Sequence, residues 1–182
     1  MKKLLFFAVF TVFAMSTSFA QDEDGGGDAT SQGTWLVEIN TGFGEVSGSG
    51  TAFMLRSIDG NTAYALGAEA GYFVIDDLAL KAGLGYGDSG ADGVDGTFNW
   101  KFGGKYYIAG QFPIGVDING ASGNSFSPMF LGFQAAYAWF VADNVSIEPG
   151  LRYGMGMNDD ADLMTGDNGI FGVNIGFNIY FN

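Results

Sequence analysis

The chain has 182 residues, 31 of them glycine, with no cysteine, no histidine and a formal net charge of −13. That charge leaves no basic footprint for nucleic acid. The missing cysteine excludes disulfides, thiolate metal sites, a cysteine nucleophile and a lipid-modified N-terminal cysteine. The missing histidine removes the commonest general base and transition-metal ligand, and no cofactor is expected.

The first element is an address. Lys2 and Lys3 precede an apolar run from Leu4 to Met15, broken only by Thr11, and Ser18-Phe19-Ala20 supplies a small-x-small exit. This predicts a secretory signal peptide over residues 1–20, cleaved after Ala20. The run is too short for a transmembrane helix, which needs about 20 apolar residues. Residues 21–33 are acidic and glycine-rich and are expected to form a disordered tail. The folded part is expected over 34–182.

From Thr34 onward the hydrophobic signal has period two. It predicts eight strands, over 34–44, 62–74, 78–88, 96–108, 111–120, 127–141, 145–157 and 169–181. The last is the clearest: Phe171, Val173, Ile175, Phe177, Ile179 and Phe181 share one face, and Gly172, Asn174, Gly176, Asn178 and Tyr180 the other. On the apolar faces only Thr41, Gly104 and Pro149 are not apolar, and none is charged. Pro149 lacks an N–H in mid-strand, so a bulge or a missing ladder bond is expected there. The opposite faces are mostly glycine, alanine, asparagine and charge, with four acids (Glu38, Glu69, Asp117, Glu148) and four bases (Lys81, Lys101, Lys105, Arg152).

The connections alternate in length. Ile75-Asp76-Asp77, Ala109-Gly110 and Ala142-Asp143-Asn144 are tight turns, and longer loops fall near 45–61, 89–95, 121–126 and 158–168. Short turns on one rim and long loops on the other is the pattern of outer-membrane barrels. An internal echo supports the register: Phe73, Val74, Asp76, Gly83, Leu84, Tyr86 and Gly87 return 67 residues later as Phe140, Val141, Asp143, Gly150, Leu151, Tyr153 and Gly154.

Size decides which face points outward. The interior of an eight-stranded barrel is just wide enough for side chains to fill it. The bulky apolar set does not fit there, whereas glycine, alanine and a few charged chains do. Aromatic residues also gather at both strand ends. Trp35, Tyr72, Tyr106, Phe112, Trp139 and Phe181 lie toward the short turns. Phe43, Tyr64, Tyr86, Phe98, Trp100, Tyr153 and Phe171 lie toward the long loops. Two such girdles suit two membrane interfaces. A soluble two-sheet sandwich would leave them without a cause.

The Gly71-Tyr72-Phe73-Val74 turn entry, the Leu84-Gly85-Tyr86-Gly87 exit and the leader carry a resemblance. Over nearly all of 34–182 the chain resembles the small eight-stranded outer-membrane barrels of Gram-negative bacteria, the OmpA/OmpX/OmpW-like group. More narrowly, it resembles the outer-membrane β-barrel domain proteins of Bacteroidota. The resemblance implies an all-β, antiparallel, up-and-down transmembrane barrel. It implies outer-membrane lipid and the barrel-insertion machinery as partners, and a monomer. The last strand resembles the assembly signal read by that machinery at Asn174, Gly176, Ile179 and Phe181, departing from it in ending on Asn182. Barrel enzymes of outer membranes rely on histidine, so no catalysis is expected.

Three sites are candidates. The eight inward charges must be paired or solvated, and they read as a plugging salt-bridge network or as a narrow polar path. Glu148 and Arg152 are about 13 Å apart along their strand, so each needs partners on other strands. The acidic loops, with Asp88, Asp92, Asp95 and Asp159, Asp160, Asp162, Asp167, read as a solvated anionic surface. The alternative is a calcium site, but the spacing and the closing glutamate of a calcium loop are missing. The first long loop, with Phe53, Met54, Leu55 and Ile58, is expected to extend strands; folding over the mouth, or contact with a partner or an apolar ligand, are the alternatives. The expected role is structural or surface interaction. A narrow porin-like channel or a transporter of small apolar molecules is the first alternative, and a soluble periplasmic ligand-binding barrel the second.

Overall fold

The computed structural model describes residues 29–43, 51–58, 61–88, 90, 96–123, 126–165 and 169–182. The predicted leader, the start of the tail and parts of the long loops, including Asp92, Asp95 and Asp167, lie outside the described residues.

The strand segments are β1 (Trp35–Phe43), β2 (Met54–Ile58), β3 (Asn61–Ile75), β4 (Leu78–Asp88), β5 (Thr97–Ile108), β6 (Phe112–Ser122), β7 (Met129–Ala136), β8 (Trp139–Ala142), β9 (Val145–Gly156) and β10 (Ile170–Phe181). A short helix, α1 (Asp159–Thr165), precedes β10. Each strand is antiparallel to its neighbours, and β1 pairs with both β10 and β3, which closes the sheet. β7 and β8 are halves of one stave and β2 is an addition to β3, so the barrel has eight staves. Closure removes the unpaired edges that an open sheet would carry.

The break between β7 and β8 has a chemical cause. Tyr137 N donates to Pro149 O at 3.1 Å, but Pro149 has no N–H to return. The ladder therefore loses one rung and the strand is interrupted at Tyr137 and Ala138. The register resumes unchanged, with Ala136 opposite Gly150 and Trp139 opposite Ile147.

The internal echo is structural as well as sequential. A register shift falls between Phe73 and Ile75 in the first hairpin and between Phe140 and Ala142 in the second. Each adds one residue just before a tight turn, so Phe73 keeps its inward phase while Ile75 points out and is 54% exposed.

Alternation sends the bulky side chains outward. Leu66, Leu84, Phe102 and Leu151 are all more than half exposed at mid-stave, flanked by Trp35, Trp139 and Phe112 at the short-turn end and Phe171, Phe98 and Tyr86 at the other. Among the described residues no charged side chain lies in this belt.

The interior carries something the sequence reading missed. At the short-turn end it is an aromatic plug. Leu36, Phe73, Tyr107 and Tyr180 are buried there with Ala79 and Ala138, and Phe140 packs against them. The ring centroids of Phe73–Tyr107 and Phe140–Tyr180 lie 5.8 and 5.6 Å apart. The available signal was phase: these large residues sit on the inward face, near the strand ends that carry the tight turns or the chain termini.

The tail expectation fails over its last five residues. Ala29 joins the plug and Thr30 is buried beside it. Thr30 Oγ1 donates to Asp77 Oδ1 at 2.6 Å and Gln32 N to Asp76 Oδ1 at 2.8 Å. Gly33 N donates to Phe73 O, and Asp77 N to Thr30 O. The acidic turn supplies acceptors that the segment's own composition could not reveal.

The first long loop extends β3 through β2, from Met54 opposite Ala65 to Ile58 opposite Asn61, as expected. It also does something unforeseen. β1 pairs directly with β3 only from Trp35 to Glu38. Beyond that, residues 51–53 enter the wall between the two staves: Ala52 bridges Asn40 in parallel and Phe53 N donates to Asn40 O at 2.7 Å. Two glycines admit this strap. A Cβ on Gly67 would lie 2.6 Å from Thr51 Cα, and one on Gly83 would lie 2.8 Å from Thr51 Cγ2.

Candidate functional site: the charged lumen

The eight inward charges predicted from strand phase are all buried inside the barrel, none more than 6% exposed. They form one chain of alternating sign. Glu148 binds Lys105, and Lys105 reaches Glu38 at 2.6 Å. Lys81 lies 2.7 Å from Glu38 and 2.7 Å from Glu69. Lys101 lies 2.8 Å from Glu69 and 3.8 Å from Asp117. Asp117 closes the series on Arg152 at 2.7 Å. The chain draws on β1, β3, β4, β5, β6 and β9, so it ties staves that are not neighbours. Glu148 and Arg152 do not touch; each is met from another strand.

Neutral groups fill the remaining valences of the carboxylates. Asn40 donates to Glu38 at 2.7 Å and to Glu69 at 3.2 Å. Thr51 of the strap donates to Glu69 at 2.6 Å, which couples the first long loop to the lumen. Asn119 donates to Asp117 at 2.8 Å. Below, the Tyr107 hydroxyl donates to Glu148 at 2.9 Å and the Tyr180 hydroxyl at 3.2 Å, and Ser146 donates to the same oxygen. The aromatic plug thus turns its polar tips toward the charges. Lys105 also stands 5.3 Å above the Tyr107 ring, within cation–π range.

Electrostatics explains why such a set is tolerated. An isolated ion inside a protein costs several kcal/mol, and pairing with further hydrogen bonds offsets that cost. Four acids against four bases leave no excess charge, and every carboxylate has more than one partner. Chemically the arrangement crosslinks and fills.

The terminal-strand residues divide by phase. Asn174 and Gly176 face inward, and Asn174 Nδ2 donates to Asn40 Oδ1 at 3.2 Å. Ile179 and Phe181 lie on the outward face, paired with Val37 and Trp35.

At the other rim, the stretch 158–168 expected as a loop contains α1. Asn158 caps it: its Oδ1 accepts from Ala161 N at 3.1 Å and from Met129 N at 3.0 Å. Asp160 accepts from Ser127 N at 2.8 Å. Asp159, Asp160 and Asp162 fall in the first turn, where acids suit the helix dipole. Asp88 Oδ1 accepts from Gly90 N at 2.7 Å. Among the described residues no three acids converge on a metal-sized site.

No family model matches the sequence, and no curated protein sequence does. Solved structures do match. The N-terminal β-barrel domain of Pseudomonas aeruginosa OprF has a TM-score of 0.50 and 17% identity over 82% of this chain and 98% of that one. Neisserial surface protein A has a TM-score of 0.49 and 18% identity over 81% and 96%. The Yersinia pestis outer membrane protein Ail has a TM-score of 0.45 and 11% identity over 82% and 100%. At 17% identity the likeness to the OprF domain is one of fold alone. The fold of this chain is that of the small eight-stranded outer-membrane β-barrels.

Proposed function

We propose that the chain resides in a bacterial outer membrane as a sealed barrel, acting through its rigidity and its long loops rather than as a conduit. The observation that carries this reading is the unbroken alternating series from Glu148 to Arg152, seated on the aromatic plug. A barrel of this width with its eight inward charges mutually paired has no continuous wet axis. The uncharged outer belt supports membrane residence, because lipid tolerates no unpaired charge at that depth. In that setting the short turns face the periplasm and the long loops the exterior. Asn174, Gly176, Ile179 and Phe181 would serve the insertion machinery as an assembly signal. The acidic long loops would meet the surface partner.

The test is single-channel recording of the chain lacking residues 1–20, refolded into a planar bilayer at two salt concentrations. Heat-dependent gel mobility checks that the barrel is folded. A silent membrane containing folded barrel is expected. Discrete, salt-dependent steps would overturn the sealed reading in favour of a narrow polar path.

A further inference from the structure

Side chains of the described lumen leave a partly open pocket of about 10 Å³ among Glu69, Lys81, Lys101, Lys105, Asp117 and Gln134, against the glycine backbone of β5 and β6. It matches the space one water molecule needs, about 10–15 Å³ on the same measure.

The polar groups around it are incompletely used. Gln134 Nε2 is buried and has no hydrogen-bond partner. Lys101 places one of its N–H groups on Glu69 at 2.8 Å, while Asp117, its other carboxylate neighbour, stands off at 3.8 Å. Glu69 Oε2 is close to Lys81 at 2.7 Å but accepts no aligned hydrogen bond. Two residues with spare donors, Gln134 and Lys101, and two carboxylates, Glu69 and Asp117, therefore line the same pocket.

We infer that this cavity is a binding site for a single water molecule, accepting from Gln134 and Lys101 and donating to Glu69 and Asp117. Neutrality selects water over an anion. The four bases are already matched by four acids, so a halide would add an uncompensated buried charge beside two carboxylates. Four partners lie within the two to four that a buried water holds. The water carries the series across its widest gap, the 3.8 Å between Lys101 and Asp117. Gln134 then acts as a positioning residue for it.

This inference rests on the sealed reading, and its test separates the two, since a silent barrel with a dry cavity would keep the seal and remove the water. The experiment is NMR of the refolded barrel in detergent micelles, reading cross-relaxation between the Gln134 side-chain amide protons and water. Its sign distinguishes a bound molecule from proton exchange. The native barrel is expected to show a bound-water contact. Gly115→Ala should abolish it while the remaining spectrum stays native. A Cβ at Gly115 meets only Gly104 O at 3.4 Å and Gln134 Cβ at 3.7 Å, ordinary contacts that allow folding. Absence of the contact in the native barrel overturns the inference by itself. So does its survival in Gly115→Ala, or a bromide peak in the cavity of crystals grown in bromide.

Discussion

Arg152 on β9 reaches past β7 to hold Asp117 on β6 through two parallel hydrogen bonds, Nη1 to Oδ2 and Nη2 to Oδ1, each 2.7 Å. The intervening position is Gly132, which pairs with Asp117 on one side and Gly154 on the other. A side chain there would fall into the fork, since a Cβ would lie 2.7 Å from Asp117 Oδ1. Arg152→Ala leaves Asp117 buried with only Asn119 and a distant Lys101. Its expected cost is about 3–5 kcal/mol, the usual penalty for orphaning one member of a buried ion pair. Arg152→Lys should recover only part of this, because an ammonium cannot reproduce the bidentate fork. Urea unfolding followed by tryptophan fluorescence measures both. Equal stability of native and Arg152→Ala barrels would remove the fork from the account.

Lys105 is shared by Glu38 and Glu148. Lys105→Met turns two satisfied carboxylates into facing like charges, so a loss of at least about 3 kcal/mol is expected. Adding Glu148→Gln should restore stability rather than reduce it further, which is the sign of coupling in a double-mutant cycle. Lys101→Met combined with Lys105→Met separates a plug from a gated path. A plug weakens and the bilayer stays silent, whereas a gate would keep its stability and gain conductance.

Thr51 and Gly67 occupy one another's space. Gly67→Ala should expel the strap or distort β3, at a cost of about 1–3 kcal/mol. Thr51→Val keeps the shape but removes the hydrogen bond to Glu69, a loss of about 1.5–3 kcal/mol for a bond to a charged group. Amide exchange at Phe53, whose N–H is bonded to Asn40, reports the release of the strap directly. Unchanged protection at Phe53 in Gly67→Ala would show that the wall accommodates the methyl elsewhere.

Pro149 costs the barrel one rung. Pro149→Val supplies an N–H opposite Tyr137 O at a half-exposed, outward position, and it should join β7 to β8 in one strand. A gain of about 1 kcal/mol is expected, the net worth of one ladder bond, partly offset by the greater freedom of the unfolded chain. A slowly exchanging amide at the substituted position is the check. A fast one would mean the break between β7 and β8 has another cause.

Much of this molecule was readable in one dimension. Period-two alternation located the eight staves, because adjacent side chains on a strand must face opposite ways. The same phase placed Glu38, Glu69, Lys81, Lys101, Lys105, Asp117, Glu148 and Arg152 inside. Size then assigned the bulky face to the exterior. Pro149 announced its own defect, and the repeat from Phe73 to Gly87 marked two hairpins that share a bulge.

What alternation could not convey was height and partnership. Tyr107 and Tyr180 read as inward residues like any other, yet stagger between staves brings them to one level, where they build a plug with Phe73. The strap at Thr51 was invisible because it depends on glycines at Gly67 and Gly83, on two other stretches of chain. Thr30 and Gln32 are tied down by Asp77 and Asp76, more than forty residues away.

The sequence by itself determined which face of every stave is dry and that the inward charges balance, since both follow from side-chain period and composition. Only the tertiary structure decided which acid meets which base, because pairing depends on the closure of β1 onto β3 and β10 and on the register of every stave between them. The alternating series from Glu148 to Arg152 is a property of that closed register, and no segment of the chain contains it.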